Sequence, residues 1–347
     1  MASQSSRRRR ETQSKDRVGR LTRELQQMKD GVYQPGSSEI LQRKLLPIDY
    51  KALLDSFELN SELAGYIYDK IRYEYRPSTK GKAQFSVYRN DPFHNGMVEN
   101  ISGHVRLWLN DLIHRRVEGI PTGRDGKRIV EIARNIKSLG TTPITFDETQ
   151  IHPDCSYRYG SAADTQYPNM VVEVAWSQHA AKLRDRAREL IHKSGGDIRT
   201  VVGLNFHGTW KIWKKLKHQL GNPKMPARGP VDTIVFRASF DPVTGQTILD
   251  TDGQPMVTET YRMFCNEHGK VDLGQQLRLE LEDFLPEVVL RKDIKGKALR
   301  SVELILDSPT LMRYYDELLM DQKALEDHNK SEKSEKTSKK RKRETKD

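Results

Sequence analysis

The chain has 347 residues, is 35% hydrophobic and carries a formal net charge of +11. Its length suffices for one large or two modest domains with a buried core. No stretch approaches the ~20 apolar residues of a membrane span, and the arginine-rich start lacks the apolar segment of a secretory signal. Two cysteines, Cys155 and Cys265, are too few for a zinc site or a disulfide framework and favour a reducing compartment.

The basic charge is concentrated at the two ends. Residues 1–24 hold eight basic and three acidic residues, and residues 328–347 hold nine and four. Both segments are poor in apolar residues, so the sequence predicts a disordered basic tail at each end. The second tail contains a run typical of nuclear-import signals, formed by Lys339, Lys340, Arg341, Lys342 and Arg343. We therefore expect a nuclear protein with an import receptor as partner, the alternative being a solubilising charged tail.

Helical patterns lie between the first tail and the middle of the chain. Apolar residues recur at helical spacing in 17–33 and again in 45–70. We therefore expect a helical N-terminal extension over 25–84, a core over 85–290 and a C-terminal helical segment over 291–327. The helix at 17–33 is too short to indicate an oligomeric state.

An acidic residue interrupts an apolar run at residues 170–176. Apolar residues flank Glu173 on both sides, which predicts an interior strand. A carboxylate in such a strand must be paired, metal-bound or protonated, because burial penalises its charge. Asp154, which follows Pro153, is its natural companion. Helical spacing over 180–191 and a second apolar run over 198–204 then predict a helix and another strand.

The order of these features resembles the PD-(D/E)XK restriction-endonuclease-like superfamily. The resemblance rests on Pro153-Asp154, on Val172-Glu173-Val174-Ala175 and on the helix that ends at Ser194-Gly195, and it narrows to a branch common among uncharacterised fungal proteins. It implies an α/β fold with a mixed β-sheet flanked by helices. It also implies metal-dependent hydrolysis of nucleic-acid phosphodiester bonds, or binding of nucleic acid by a degenerate relative that does not cut.

In that superfamily the matching carboxylates hold divalent cations. The resemblance therefore implies that Asp154 and Glu173 bind Mg²⁺ or Mn²⁺, which prefer carboxylate oxygens and activate a bound water. We expect the two carboxyl groups to lie on adjacent strands, close enough to share a cation. The alternative is structural, with Asp154 capping a turn and Glu173 paired with a cation. The candidates for that cation are Arg184, Arg186 and Arg199.

The chain departs from the superfamily at the position of the water-positioning lysine. That lysine usually stands two residues beyond the glutamate, where this chain has Ala175. Some members place it on the next helix, which implies Lys182, although Lys182 is equally explained as a solvated helix residue. Members often carry a glutamine at the start of that helix, which implies a site role for Gln178. The alternative is that Ser177 caps the helix and Gln178 lies in its first turn.

Glu99 is a third candidate metal ligand. It precedes a helical run at 105–113, and the first helix of the superfamily often supplies an acidic residue to the metal. The alternative is an ordinary surface glutamate. Nearby His94 and His104 are predicted to be polar surface or hydrogen-bonded histidines and not ligands.

Residues 210–217 alternate large apolar with basic side chains. Trp210, Lys211, Lys214 and Lys215 are the candidate nucleic-acid contacts, because interleaved aromatic and basic residues suit stacked bases and a phosphate backbone. The alternative is an amphipathic segment that buries its tryptophans. Farther on, 233–239 and 255–264 predict a hairpin with a long tip.

These observations predict an α/β, restriction-endonuclease-like mixed sheet flanked by helices, with two basic disordered tails. The function we expect is that of a metal-dependent nuclease, or of a nucleic-acid-binding relative, in the nucleus. An interaction or regulatory protein that keeps the fold, with its carboxylates as a structural pair, is the alternative. Ala175 is the residue that distinguishes the nuclease from the interaction protein, because it stands in place of the usual lysine.

Overall fold

The structure is a computed structural model. It describes residues 4–32, 40–77, 83–88, 92–161, 163, 165–176, 179–220, 228–293, 299 and 302–325. The predicted import run at 339–343 and the predicted tail at 328–347 therefore lie outside the described residues. Among the helices that are described, none has the length and apolarity needed to cross a membrane.

The elements alternate between helices and short strands. The helices are α1 (Gln4–Lys29), α2 (Pro47–Glu58), α3 (Ser61–Lys70), α4 (Pro92–Ile113), α5 (Arg124–Asn135), α6 (Ala180–Lys193), α7 (His207–Leu220), α8 (Glu287–Asp293) and α9 (308–325). The strands are β1 (Ile40–Lys44), β2 (Arg72–Arg76), β3 (Gln84–Tyr88), β4 (Ile136–Gly140), β5 (Ile144–Phe146), β6 (Thr149–Ile151), β7 (Cys155–Tyr159), β8 (Met170–Ala175), β9 (Thr200–Asn205), β10 (Val231–Ala238), β11 (Val257–Cys265), β12 (Gln276–Glu280) and β13 (Glu303–Asp307). A 3₁₀ turn, Leu281–Phe284, follows β12.

The chain divides into two compact units. The smaller is built from Met1–Asn90 and Thr141–Pro153, and the larger from Asp91–Gly140 and Asp154–Asp347. The smaller unit contains a five-stranded antiparallel sheet in the order β1-β3-β2-β6-β5. Helices α1 to α3 bury apolar side chains with this sheet.

Two domain boundaries differ from the prediction. Residues 141–153, which the sequence assigns to the core, belong to the smaller unit through β5 and β6. The segment 291–327, predicted to be helical, contains β13, which pairs with β12. Neither difference is visible in local periodicity, because both depend on pairing with strands distant in sequence.

The prediction of a disordered tail over 1–24 is wrong for residues 4–24, which lie in α1. Leu21 and Leu25, one turn apart, are buried in the core of the smaller unit. The Arg17 guanidinium donates to the buried Asp49 carboxylate over 2.7 Å. Composition misses the first part of this helix, whereas the helix predicted over 17–33 from apolar spacing is confirmed over 17–29.

The larger unit contains a six-stranded mixed sheet in the order β11-β10-β9-β8-β7-β4. β8 and β9 are parallel and joined by α6, whereas all the other neighbouring pairs are antiparallel. The predicted strand at 170–176, helix at 180–191 and strand at 198–204 are confirmed with small shifts of boundary. The predicted hairpin at 233–264 is also confirmed, as β10 and β11.

The two faces of this sheet are packed differently. Val172, Val174, Val202 and Leu204 face the large apolar core that includes α4, here called the α4 face. Alternation along the strands turns Glu173 and Gly203 to the opposite face, covered by α6. Helix α6 lies so close that a Cβ added at Gly203 would stand 3.0 Å from the Leu183 side chain. This face, here called the α6 face, therefore needs glycine beside Glu173.

Candidate functional site

Glu173 forms a buried ion pair with an arginine of α6. The Arg186 Nε stands 2.8 Å from the Glu173 Oε2, and the two side chains are only 4% and 3% exposed. Arg186 lies on the buried stripe of the helix with Leu183, Ala187 and Leu190, so the amphipathic pattern of α6 turns it to the sheet. Arg186 is one of the three arginines named for the structural alternative. A guanidinium remains charged at all physiological pH values, so it compensates the Glu173 carboxylate permanently.

Asp154 is buried at the start of β7 and is held in another way. Its Oδ2 accepts a 2.6 Å hydrogen bond from the Val174 amide. The last residue pair between β7 and β8 is Cys155 with Val172, and Asp154 lies one residue before it. The Asp154 side chain therefore accepts a hydrogen bond from β8 just beyond the paired residues. Its Oδ1 lies 3.0 Å from Nε2 of His94, the third residue of α4.

The two carboxylates thus lie on neighbouring strands but take their partners from different helices. Glu173 contacts α6, whereas Asp154 contacts α4. Among the described residues, no three His, Cys, Asp or Glu side chains form a group that could hold a metal ion.

The remaining predicted site residues do not join these carboxylates. Glu99 lies on α4 with its side chain 76% exposed, 3.6 Å from the guanidinium of Arg106. Lys182 lies in the first turn of α6 and is exposed. It precedes Arg186 by one turn, so the buried arginine and not Lys182 is the cation that reaches Glu173.

The start of α6 differs from the expected one. The N-cap residue is His179, whose Nδ1 accepts a hydrogen bond from the Ala181 amide over 3.2 Å. Gln178 and Ser177 lie outside the described residues. The proposed role of Gln178 therefore stays a prediction.

Helix α7 presents lysines on one side and a buried tryptophan on another. Its sequence contains four lysines and no acidic residue. Lys211 and Lys215, one turn apart, are exposed, whereas Trp213 is buried and Trp210 is half-buried. The Trp210 ring stacks beside the His207 ring with centroids 5.7 Å apart. The Lys214 side chain is outside the described part of the structure.

A second polar pair, which the sequence analysis does not name, lies on the α6 face. Register places Asn205 beside Ala175 and Asp232 beside Asn205. The Asn205 amide donates to the Asp232 carboxylate over 2.9 Å. Burial raises the pKa of the Asp232 carboxyl to about 6, opposed by the Asn205 hydrogen bond and by the charge of Arg184. Asp232 thus changes charge close to neutral pH. An acidic residue at the start of an apolar strand is the only sequence signal for it.

His94 agrees with the prediction of a histidine that has a polar partner, but the sequence did not name the partner. Its Nε2 lies 3.0 Å from the buried Asp154 carboxylate. Fifty-nine residues separate the two positions, and only the packing of α4 against β7 and β8 brings them together.

Comparisons with known proteins add no assignment. No family model matches the chain, and no curated protein or solved structure matches it significantly.

Proposed function

We propose that this protein is a nucleic-acid-binding member of the restriction-endonuclease-like class that does not cleave its ligand. It would bind through α7. The observation that carries the proposal is the arrangement of α7, a helix anchored by a buried tryptophan that directs lysines outward and contains no carboxylate. Such a helix suits a polyanion, because no acidic side chain on it competes with a phosphate for the lysines.

The mixed sheet supports the assignment to that class. Three successive antiparallel strands, β4, β7 and β8, are followed by α6 and the parallel strand β9. Helices cover both faces, as the resemblance implies. The motif carboxylates fall at the start of β7 and within β8, on neighbouring strands.

The ion pair of Glu173 supports binding without cleavage. A carboxylate that holds Mg²⁺ must offer its oxygens to the cation, but one oxygen of Glu173 lies 2.8 Å from a buried guanidinium. Binding of a metal ion by Glu173 would require the ion pair with Arg186 to separate. The buried guanidinium would then lose its contact with the Glu173 carboxylate. Ala175 stands where the superfamily usually has a lysine, so no cation is present at that position. An arginine such as Arg186 cannot replace it in proton transfer, because a guanidinium does not deprotonate.

The binding proposal is tested by the salt dependence of affinity for a labelled oligonucleotide. Each lysine that contacts a phosphate contributes about 0.7 to 0.9 to the slope of log affinity against log salt. We expect Lys211→Glu/Lys215→Glu to weaken binding at every salt concentration and to reduce the slope by about 2. The matched control is Lys127→Glu/Lys137→Glu, which reverses two exposed lysines elsewhere on the larger unit. Equal losses in the two variants would exclude α7 as the interface.

A metal-dependent phosphodiesterase is the second candidate. It is favoured by Asp154, which is held at the backbone of β8 one residue beyond Glu173. In that case Asp154, Glu173 and Glu99 would be the metal ligands, Mg²⁺ or Mn²⁺ would activate water, and Lys182 would position that water. Both proposals place the protein in the nucleus through an import receptor that binds Lys339 to Arg343. Deleting residues 328–347 from a fluorescent fusion should abolish nuclear enrichment, and unchanged enrichment would contradict this import role.

A further inference from the structure

The outer edge of β11 is open over most of its length. β11 pairs with β10 from Val257 to Cys265 and is the last strand of the six-stranded sheet. No other described strand pairs with its far side over 257–263. Residues 258–263 are largely exposed, with Tyr261 and Met263 each 43% exposed. An open edge of this length offers unpaired backbone donors and acceptors to another strand.

The chain itself shows that this edge accepts a strand. After β11 the backbone turns back, so that Val271 bridges Cys265 and the Asp272 amide donates to the Phe264 carbonyl over 2.9 Å. The returning segment then leaves the edge at Leu273. A strand from another protein would extend the short pairing that Val271 and Asp272 already make with β11.

Two adjoining cavities lie where the returning segment departs. One, of about 620 Å³, is lined by Met263, Phe264, Leu273 and neighbouring residues. The other, of about 170 Å³, lies among Val235, Thr260, Arg262 and Arg278. Gly274 and Gln275 line both, so the cavities form one groove beside the open edge.

The two faces of β11 differ in character along this edge. Tyr261 and Met263 lie on the α6 face and expose apolar surface. Thr260 and Arg262 lie on the α4 face, beside the groove. Successive side chains of a strand added here would point to opposite faces of the sheet. On one face they would meet Tyr261 and Met263, and on the other they would meet Arg262.

The charges of the groove favour an acidic occupant. Its lining includes Arg262, Lys270 and Arg278 but only one carboxylate, Asp272. The oxygens of Asp272 already accept from the Gly274 amide and the Gln275 side chain. Glu303 offsets the charge of Arg278 over 2.8 Å, which leaves Arg262 and Lys270 as the principal cations.

A second copy of β11 would not place acidic residues opposite Arg262. Residues that face each other across an antiparallel pair lie on the same face of the sheet. Arg262 would therefore meet Thr258, Thr260 or Arg262 of the second copy, and not Glu259. In addition, Arg184 and Arg188 already contact the carboxylate of Glu259.

We propose that the open edge of β11 binds an extended segment of a partner protein in which apolar and acidic residues alternate. The segment adds a strand beside residues 257–263, as in recognition by strand addition. The apolar residues of the segment pack against Tyr261 and Met263, and its acidic residues face Arg262. No residue of α7 lines the groove, so this proposal does not rest on nucleic-acid binding.

The test measures binding of a fluorescent synthetic peptide of alternating valine and glutamate to the full chain. We expect saturable binding, and we expect Arg262→Glu to weaken it about tenfold, as loss of a charge-assisted contact does. Arg313→Glu, an exposed arginine of α9 outside the groove, is the matched control and should change affinity less than about twofold. Thr260→Glu, on the same face as Arg262, should act in the same direction as Arg262→Glu.

Two further peptides separate strand addition from simple charge attraction. A valine–lysine peptide should not bind the wild type, and an acidic peptide with prolines in place of alternate valines should not bind either, because proline cannot donate to the ladder. Hydrogen exchange of the amides in 257–263 should slow with the first peptide only. Equal binding of the peptides, displacement by a single-stranded oligonucleotide, or wild-type dimers that the peptide does not dissociate would overturn the proposal.

Discussion

Asp154 and Glu173 are buried to nearly the same extent, 3% and 2% exposed, yet their surroundings differ. Glu173 faces α6 and is compensated by a permanent cation, Arg186. Asp154 lies beside α4 and is held by a backbone amide and by His94.

The comparison shows that a motif of two carboxylates does not by itself define their chemistry. A carboxylate that is locked to a buried guanidinium contributes to the rigidity of the fold. One that is held by an amide and a histidine depends on the backbone of β8 and on the packing of α4. Substitutions at the two positions therefore remove different interactions.

The largest effect is expected at Arg186. Arg186→Met removes the arginine cation from the buried Glu173 carboxylate, which should lower the free energy of unfolding by about 3 to 5 kcal/mol. Chemical denaturation of wild type and variant measures this loss. Arg188→Met, on the exposed side of the same helix, should cost less than about 1 kcal/mol.

The double variant Glu173→Leu/Arg186→Met sharpens this result. Removing both charges also removes the buried carboxylate, so the double variant should be more stable than Arg186→Met alone. If the single and double variants are equally destabilised, the loss comes from packing and not from the ion pair.

A pH-dependent effect is expected at Asp232, on the same face as Glu173. Burial raises the pKa of its carboxyl from 3.8 to about 6. Between these values the folded state keeps a proton that the unfolded chain has released, so the free energy of unfolding falls as pH rises through this window. The loss is roughly 2 to 3 kcal/mol above pH 6.

Asp232→Asn should remove that fall, because an amide carries no charge at either pH. The variant should gain stability relative to wild type at pH 7.5 and not at pH 3.5, as measured by denaturation at both values. Asp185→Asn, at an exposed position of α6, serves as the control. A constant difference between Asp232→Asn and wild type across this range would show that the Asp232 carboxyl does not titrate there.

A smaller effect is expected at Asp154. Asp154→Ala leaves the Val174 amide and His94 without this acceptor, at a cost of about 2 kcal/mol. Asp154→Asn keeps an oxygen acceptor for the amide and should cost about half as much. Denaturation of the two variants at the same pH checks this order, and the reverse order would show that the Val174 hydrogen bond contributes little.

Local patterns predicted the central elements of the larger unit well. β8 and β9 are apolar runs that the sheet buries, α6 has apolar residues at helical spacing, and turn residues separate β10 from β11. The same reasoning named Arg186 as one of three arginines that could pair with Glu173. It could not choose among the three, because the choice depends on the rotation of α6 against the sheet.

The contacts that local patterns missed join distant parts of the chain. His94 meets Asp154 through the packing of α4, and Asn205 meets Asp232 through the pairing of β9 with β10. Neither contact leaves a periodic signal. The first part of α1 was missed for a different reason, since residues 4–16 contain no apolar side chain.

The most direct test of the account is one assay of binding and cleavage on the same labelled nucleic acid. Full-length protein is incubated with single-stranded and duplex substrates in Mn²⁺, in Mg²⁺ and in chelator, and the strands are then separated on native and denaturing gels. We predict retarded complexes and intact strands in all three conditions. Strand shortening that requires the metal and disappears in Glu173→Gln would contradict the account.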